Sequence, residues 1–193
     1  MADLADKIWI TARVRIYSEK RYKKYDISFH IFLSFLSLLL IIGSVFFQEL
    51  SVYLSHFGKL MITLSLLVFA TSLIIYGFKF GEKSNLYRDC YLKLNALEQN
   101  LENVNSPNNA YESILECYPN HSDWDYHDFI ISKTLFSGET ITSNGHPIKL
   151  TWWMLAGKII RFVAYWGFLV IPPVAISYLF VQPFFIAAST PTP

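Results

Sequence analysis

The chain has few charged residues for its length. Asp, Glu, Lys and Arg make up 16% of the 193 residues, whereas hydrophobic residues make up 53% and aromatic residues 17%. A typical soluble domain has about 25% charged residues. This shortage of charge argues against an ordinary soluble protein and favours a membrane protein of one or two domains.

The sequence also lacks the motifs of the common enzyme classes. It has no glycine-rich phosphate loop and no GxSxG, HExxH or CxxC motif. Two histidines and three aspartates cluster between His121 and Asp128. Their spacing matches no metal motif, and the helix dipole favours acidic residues at a helix start. Cys90 and Cys117 are isolated, and we expect free structural thiols. We therefore expect no catalysis, no cofactor and no metal site.

Charged residues are absent from three long stretches. Residues 27–48 and 60–78 contain no Asp, Glu, Lys or Arg. Because roughly 20 helical residues cross a hydrocarbon core of about 30 Å, both stretches are predicted spans. Residues 162–187 are also free of charge but contain Pro172 and Pro173. Membrane helices tolerate proline, so we predict a kinked third span, with a re-entrant or surface-lying segment as the alternative.

Basic residues are concentrated before the first span. Seven of the 16 Lys and Arg residues lie in the first 24 positions, whereas the link at residues 49–59 has one acidic and one basic residue. Further basic residues follow the second span, from Lys79 to Lys93. Because Lys and Arg stay on the cytoplasmic side, we expect a cytoplasmic N-terminus, an external link and a return to the cytoplasm after residue 78. The leading segment is too long, and the second span too near, for a cleaved signal peptide.

These patterns predict an all-α membrane protein in four parts. A basic cytoplasmic helix at residues 1–26 continues into a transmembrane hairpin at residues 27–78. A cytoplasmic helical region follows at residues 79–150, and a C-terminal membrane segment at residues 151–193. Within the third part, NSPNN at residues 105–109 is expected to end a helix, Ser122 to cap another, and residues 137–149 to form a loop.

An apolar seam follows the second span. From Leu86 onward, apolar residues recur in steps of three and four: Cys90, Leu94, Leu97, Leu101 and Val104. This spacing is near the coiled-coil repeat, so the seam needs a partner helix. The partner is either the N-terminal helix of the same chain or the same helix of another chain, in which case the seam is an oligomer contact.

The first span has one polar face. On a helical wheel, an arc of about 80° holds its main polar side chains, namely His30, Ser34, Ser37, Ser44 and Gln48. These groups form either hydrogen bonds between packed helices or the polar wall of a pore built by several chains.

The second span has a stripe of small residues that suits close helix packing, formed by Thr63, Ala70, Gly77 and Gly81.

The N-terminal half resembles a known family. A helix reading ARVRIYSEKRYKKYD, entered through KIWITA and followed by two spans and a Leu-rich helix, resembles the SLATT family, the SMODS and SLOG-associating two-transmembrane effectors. The resemblance covers residues 5–104 and rests on Arg13, Arg15, Arg21 and Asp26 together with the hairpin. It implies a bacterial conflict protein that perforates or depolarises the inner membrane when a partner senses infection. Such partners are nucleotide second-messenger synthases, SLOG-type sensors and, for some members, reverse transcriptases.

The resemblance and the residues together lead to one expected function. We expect an anti-phage effector that oligomerises in the bacterial inner membrane and forms a pore or disrupts the membrane when triggered. We expect the lipid bilayer and a sensor as partners, and no direct binding of nucleic acid. The alternatives are a non-conducting anchor for a cytoplasmic sensor or enzyme, and a constitutive channel subunit.

Overall fold

The computed structural model describes residues 2–138, 142–143, 146–148 and 150–189, and this part of the chain is almost entirely helical. Its helices are α1 (Ala2–Val45), α2 (Phe47–Tyr53), α3 (Phe57–Phe78), α4 (Phe80–Gln99), α5 (Pro107–Cys117), α6 (Asp123–Ile131) and α7 (Trp152–Ser189). A 3-10 turn at Leu101–Asn103 follows α4, and a π-helical turn at Ser132–Phe136 follows α6. In the predicted loop, β1 (Thr142–Ser143) pairs antiparallel with β2 (His146–Pro147). The predicted all-α fold is confirmed.

The chain divides into two compact units. The first unit consists of Met1–Tyr25 and Phe80–Arg161, and the second of Asp26–Lys79 and Phe162–Pro193. Helix α1 runs for 44 residues without a glycine or proline before Gly43, so the predicted continuation of the basic helix into the first span is confirmed. Helices α1 and α7 contribute residues to both units.

The link between the first two spans contains a short helix. Helix α1 ends at Val45, and α2 begins at Phe47 after a one-residue turn. Gln48 therefore lies on α2 and not on the first span, so the predicted polar face ends at Ser44 on α1.

Helix α3 ends at a residue in the left-handed conformation. Lys79 has φ of +48°, and its amide donates a hydrogen bond to the carbonyl of Ile75 at 3.2 Å. This conformation costs a residue other than glycine about 1 to 2 kcal/mol and closes the helix in the manner of a C-cap. Helix α4 starts at the next residue, so Gly81 does not extend the small stripe of α3, which stops at Gly77.

The second unit has an apolar core of its own. Helices α1, α2, α3 and α7 contribute buried side chains, among them Phe32, Leu36, Leu50, Leu64 and Phe180. Three helices of the described chain are long and apolar enough to cross a membrane, and they include the stretch of α7 from Trp152 to Gln182. Helix α7 continues through Pro172 and Pro173, which agrees with a spanning third segment rather than a short re-entrant one.

The first unit buries the predicted seam within the same chain. Cys90 and Leu94 are fully buried, and Leu97 and Leu101 nearly so, against α1 and α5. Ile8 and Ala12 of α1 form the facing surface, while Val104 is partly buried at the edge. Of the two partners that the sequence allowed, the structure provides the N-terminal helix of the same chain. The hypothesis that this seam joins copies is therefore corrected, because its apolar side chains are already covered.

Two local signals in the region after α4 had different outcomes. The segment NSPNN does follow the end of a helix, but Pro107 is also the first residue of α5, a position where its missing N–H costs nothing. Ser122 caps α6 as predicted, in a capping box with Asp125.

The covered seam leads to a stability prediction. Leu94→Ala should destabilise the first unit by about 2 to 5 kcal/mol, because it leaves a cavity where the side chain was fully buried. Leu92→Ala is the matched control, since Leu92 lies on the same helix and is 50% exposed. Hydrogen exchange of α4 and α5 in the membrane-inserted protein measures the difference, and equal protection in both variants would contradict the assigned packing.

Candidate functional site

The polar row of α1 lies on the outer surface of the second unit. His30, Ser34 and Ser44 are exposed, and Ser37 is partly exposed. The opposite side of the helix holds Phe32, Leu36 and Leu39, which are buried in the core. The row thus points away from the packed helices of its own unit.

Hydrogen bonds of the row stay within α1. The Ser34 hydroxyl donates to the carbonyl of His30 at 2.8 Å, and the His30 Nε2 lies 3.8 Å from the Asp26 carboxylate. The hydroxyl contact between α1 and α7 uses other residues, Ser28 and Tyr165. The structure therefore does not use the described row for hydrogen bonds between the packed helices of one chain.

The small residues of α3 are also turned outward. Thr63, Ala70 and Gly77 are exposed, and a Cβ added at Gly77 would meet no atom within 4 Å. Close packing inside the unit occurs instead at Gly43 of α1. A Cβ at Gly43 would lie 2.6 Å from the Met61 sulfur and 2.9 Å from the Phe180 ring. Sequence reasoning missed Gly43 because it is a single small residue without a second one at helical spacing.

The family motif consists of Arg13, Arg15, Arg21 and Asp26. The side chains of Arg15 and Arg21 point into the first unit. Arg15 is 1% exposed and donates a hydrogen bond to the carbonyl of Pro119. The Arg21 Nη2 donates to Asp125 Oδ2 at 2.9 Å. The Arg21 Nε is also 2.9 Å from Asp125 Oδ1, although this N–H is not aligned for a hydrogen bond. Helix α1 is thereby tied to the segment that leads into α6.

The Asp125 carboxylate is the centre of this polar network. Its Oδ2 accepts hydrogen bonds from the Ser18 hydroxyl at 2.7 Å and from the Ser122 hydroxyl at 3.0 Å, in addition to Arg21. Asp125 is fully buried, so these donors and the arginine replace the lost hydration of a charged group. The sequence marked Asp125 only as an acidic residue at a helix start, and Ser18 gave no signal.

Tyr87 and His121 complete the surroundings of the network. The Tyr87 hydroxyl donates to the carbonyl of Asn120 at 2.8 Å. Burial, together with Tyr22 and Asp125, raises the pKa of Tyr87 to about 12, so the phenol stays protonated and keeps donating. Burial and the Arg15 guanidinium lower the pKa of His121, so its imidazole is neutral at physiological pH.

The other two motif residues lie elsewhere. Arg13 is exposed, and its guanidinium lies 5.6 Å from the centre of the Trp9 ring. Asp26 belongs to the second unit, next to His30. Of the four motif residues, Arg21 belongs to the network around Asp125, and Arg15 bonds to the nearby Pro119 carbonyl.

Two of the three aspartates of the histidine-rich segment, Asp125 and Asp128, have cationic partners. Asp128 binds Arg161 at 3.2 Å and lies 3.8 Å from the Lys158 ammonium group. Arg161 also lies 4.6 Å from the Trp124 ring centre, which fixes the start of α7 against α6. In the described part of the chain, no three His, Cys, Asp or Glu side chains are grouped to hold a metal ion.

The buried ion pair can be tested directly. Arg21→Gln should destabilise the first unit by about 3 kcal/mol, because it leaves the Asp125 charge buried without its cation. Arg13→Gln is the matched control on the same helix, since Arg13 is exposed. The measurement is the rate of limited proteolysis between Pro119 and Asp125, which should rise in Arg21→Gln alone. Equal rates in both variants would show that the pair does not hold this segment.

Comparison with known proteins identifies a family for the chain. The model of the family described as SMODS and SLOG-associating 2TM effector domain family 5 matches residues 1–179. No curated protein and no solved structure matches the chain. The matched region extends into α7 and so includes a third apolar helix, although the family description counts two spans. The resemblance inferred from the basic helix and the hairpin is confirmed, and the chain belongs to this family of membrane effector domains.

Proposed function

We propose that the protein is a bacterial anti-phage effector whose copies assemble in the inner membrane and line a water-filled path with the polar row of α1. The observation that supports this most is the direction of the row. Ser34 and Ser44 face outward from a unit whose remaining surface is largely apolar, with Ile31, Leu38 and Ile41 all more than half exposed.

The physical argument concerns hydration. A single chain would present the row to lipid, where polar groups beyond the reach of water are costly. Several chains that turn the same face toward a common axis would place the hydroxyls against water and the apolar side chains against lipid. One chain cannot enclose such a path, so the proposal requires a homo-oligomer.

The outward small face of α3 is suited to the contact between copies. In a bilayer, small residues let helix backbones approach closely, which favours association by dispersion and short polar contacts. Thr63, Ala70 and Gly77 leave this face open in the single chain. We propose this face of α3 as the contact between copies in place of the α4 seam, because the seam is covered within the chain.

The proposed trigger is a sensor partner, in keeping with the family description of association with SMODS and SLOG proteins. The partner would be a nucleotide second-messenger synthase, a SLOG-type sensor or a reverse transcriptase, and it would act on the first unit. An anchor that only tethers such a partner is the main alternative. An anchor has no need for a polar row on the outside of its spans, which favours the pore.

The row can be tested by changing its polarity. Replacing Ser34, Ser37 and Ser44 together by leucine should preserve insertion, because it makes the helix more hydrophobic. The same change should abolish depolarisation in bacteria that express the protein with its partner, because an apolar lumen loses its water. The alanine triple variant should be intermediate. A membrane-potential dye and cross-linking report conduction and assembly.

A control separates the row from serine content in general. Ser65→Leu with Ser72→Leu removes two hydroxyls from α3, outside the row, and should leave depolarisation unchanged. Loss of the oligomer in both triple variants would mean that the serines are packing groups. Full depolarisation by both would place the conduction path elsewhere and refute the assigned pore face.

The proposed orientation places the N-terminus and the first unit in the cytoplasm. Cys117 is exposed on α5 and should resist an impermeant maleimide in intact cells but react after permeabilisation. In a Cys117→Ser background, Ser55→Cys between α2 and α3 should react in intact cells, whereas Asn109→Cys should not. Labelling of Asn109→Cys in intact cells would reverse the topology.

A further inference from the structure

A cavity of about 410 Å³ lies at the corner where α2 leads into α3, within the second unit. Its lining combines two kinds of side chain. Tyr53, His56 and Lys59 supply a phenol, an imidazole and an ammonium group, whereas Leu60 and Leu179 supply apolar surface. A cavity of this composition matches a ligand that has both a charged and an apolar part.

The polar side of the cavity has a positive charge that the described residues do not neutralise. Lys59 is exposed and forms no ion pair with any residue in the part of the chain that the structure describes. His56 directly precedes α3, and its side chain makes no hydrogen bond to the end of that helix. Both groups are therefore available to an anion.

The position of the cavity indicates the source of the anion. Helix α3 begins at Phe57 and is one of the three helices long and apolar enough to cross a membrane. The end of a spanning helix lies at the level of the lipid headgroups, where Tyr and Lys side chains commonly lie. A glycerophospholipid presents a negative phosphodiester at that level and an apolar acyl chain below it. A small soluble anion would leave the apolar walls unused, and a neutral lipid would leave Lys59 without a partner.

We propose that this cavity binds one glycerophospholipid per chain, with its phosphodiester on Lys59 and His56, a hydrogen bond from Tyr53, and an acyl chain along Leu60 and Leu179. The complementarity is between one positive lysine and one negative phosphodiester, so the site recognises the phosphate and not a particular headgroup. The proposal requires only that α3 spans a bilayer. It does not depend on pore formation.

Native mass spectrometry of the purified full chain tests the site. After delipidation in detergent, the protein should bind one molecule of either phosphatidylglycerol or phosphatidylcholine, since both have the phosphodiester. Diacylglycerol, which lacks the phosphate, should not bind, and inorganic phosphate should neither bind alone nor displace the phospholipid. Lys59→Met should lose the bound lipid by removing the cation, and Leu60→Trp should lose it by filling the cavity.

Two variants serve as matched controls. Arg88→Met removes an exposed cation on α4, outside the cavity, and Leu66→Trp adds the same bulk to α3 at a position that is 62% exposed. Both should retain the lipid, and all four variants should keep the Tm of the unaltered protein. Lipid retention in Lys59→Met or Leu60→Trp would overturn the proposal. So would binding of diacylglycerol, or displacement by inorganic phosphate, which would indicate a site for neutral lipid or for a soluble anion.

The result of the lipid-binding experiment is independent of the result of the depolarisation experiment. Lipid binding is measured on the purified chain, whereas conduction is measured by depolarisation of cells. A protein that binds the phospholipid without depolarising cells would contradict the pore and leave the lipid site in place. Depolarisation with no lipid at this cavity would contradict the lipid site alone.

Discussion

Helix α1 passes through two different surroundings along one uninterrupted backbone. Up to Tyr25 it presents arginine and serine to a buried polar network, and apolar residues such as Ile8 and Ala12 to α4. After Asp26 it presents Phe32, Leu36 and Leu39 to an apolar core. Because a helix satisfies its own backbone hydrogen bonds, this change of surroundings needs no break in the chain. Both units are built on this helix, and the other elements pack on whichever part of it they meet.

The first unit depends on a buried charge. Asp125 is held by Arg21, Ser18 and Ser122, which come from α1 and from the residue before α6. A buried ion pair gives little net stability compared with an apolar core of the same shape, but it is strongly destabilising when one partner is lost. Loss of either partner should therefore weaken the packing of α1 against α6.

The second unit leaves its polar and small faces outside. Packing between helices uses the apolar side of α1 and the close approach at Gly43. Ser34, Ser44 and Gly77 stay exposed outside this packing. Soluble proteins turn polar groups outward to meet water, but a span meets lipid. In this unit the outward polar face of a single chain would meet lipid, which is unfavourable. This is the physical reason for proposing an assembly of several chains over a solitary anchor.

The sequence by itself determined the helical class, the apolar stretches, the continuity of α1, the Ser122 cap and the family. The class, the stretches, the continuity of α1 and the cap follow from local properties, namely hydropathy over about 20 residues, the absence of helix breakers and the preference of serine for a helix start. The family followed from the resemblance of the basic helix and the hairpin, and the family match confirms it. Only the tertiary structure decided that α1 and α5 cover the seam at Leu94, that α3 stops at Lys79, that Gly43 is the packing glycine, and that Asp125 pairs with Arg21. Three of these outcomes depend on contacts between residues far apart in the sequence, such as Arg21 and Asp125, which are 104 positions apart. The stop at Lys79 depends instead on its left-handed backbone conformation. Local spacing gives the direction of a side chain on its own helix, but it does not identify the surface that the side chain will meet.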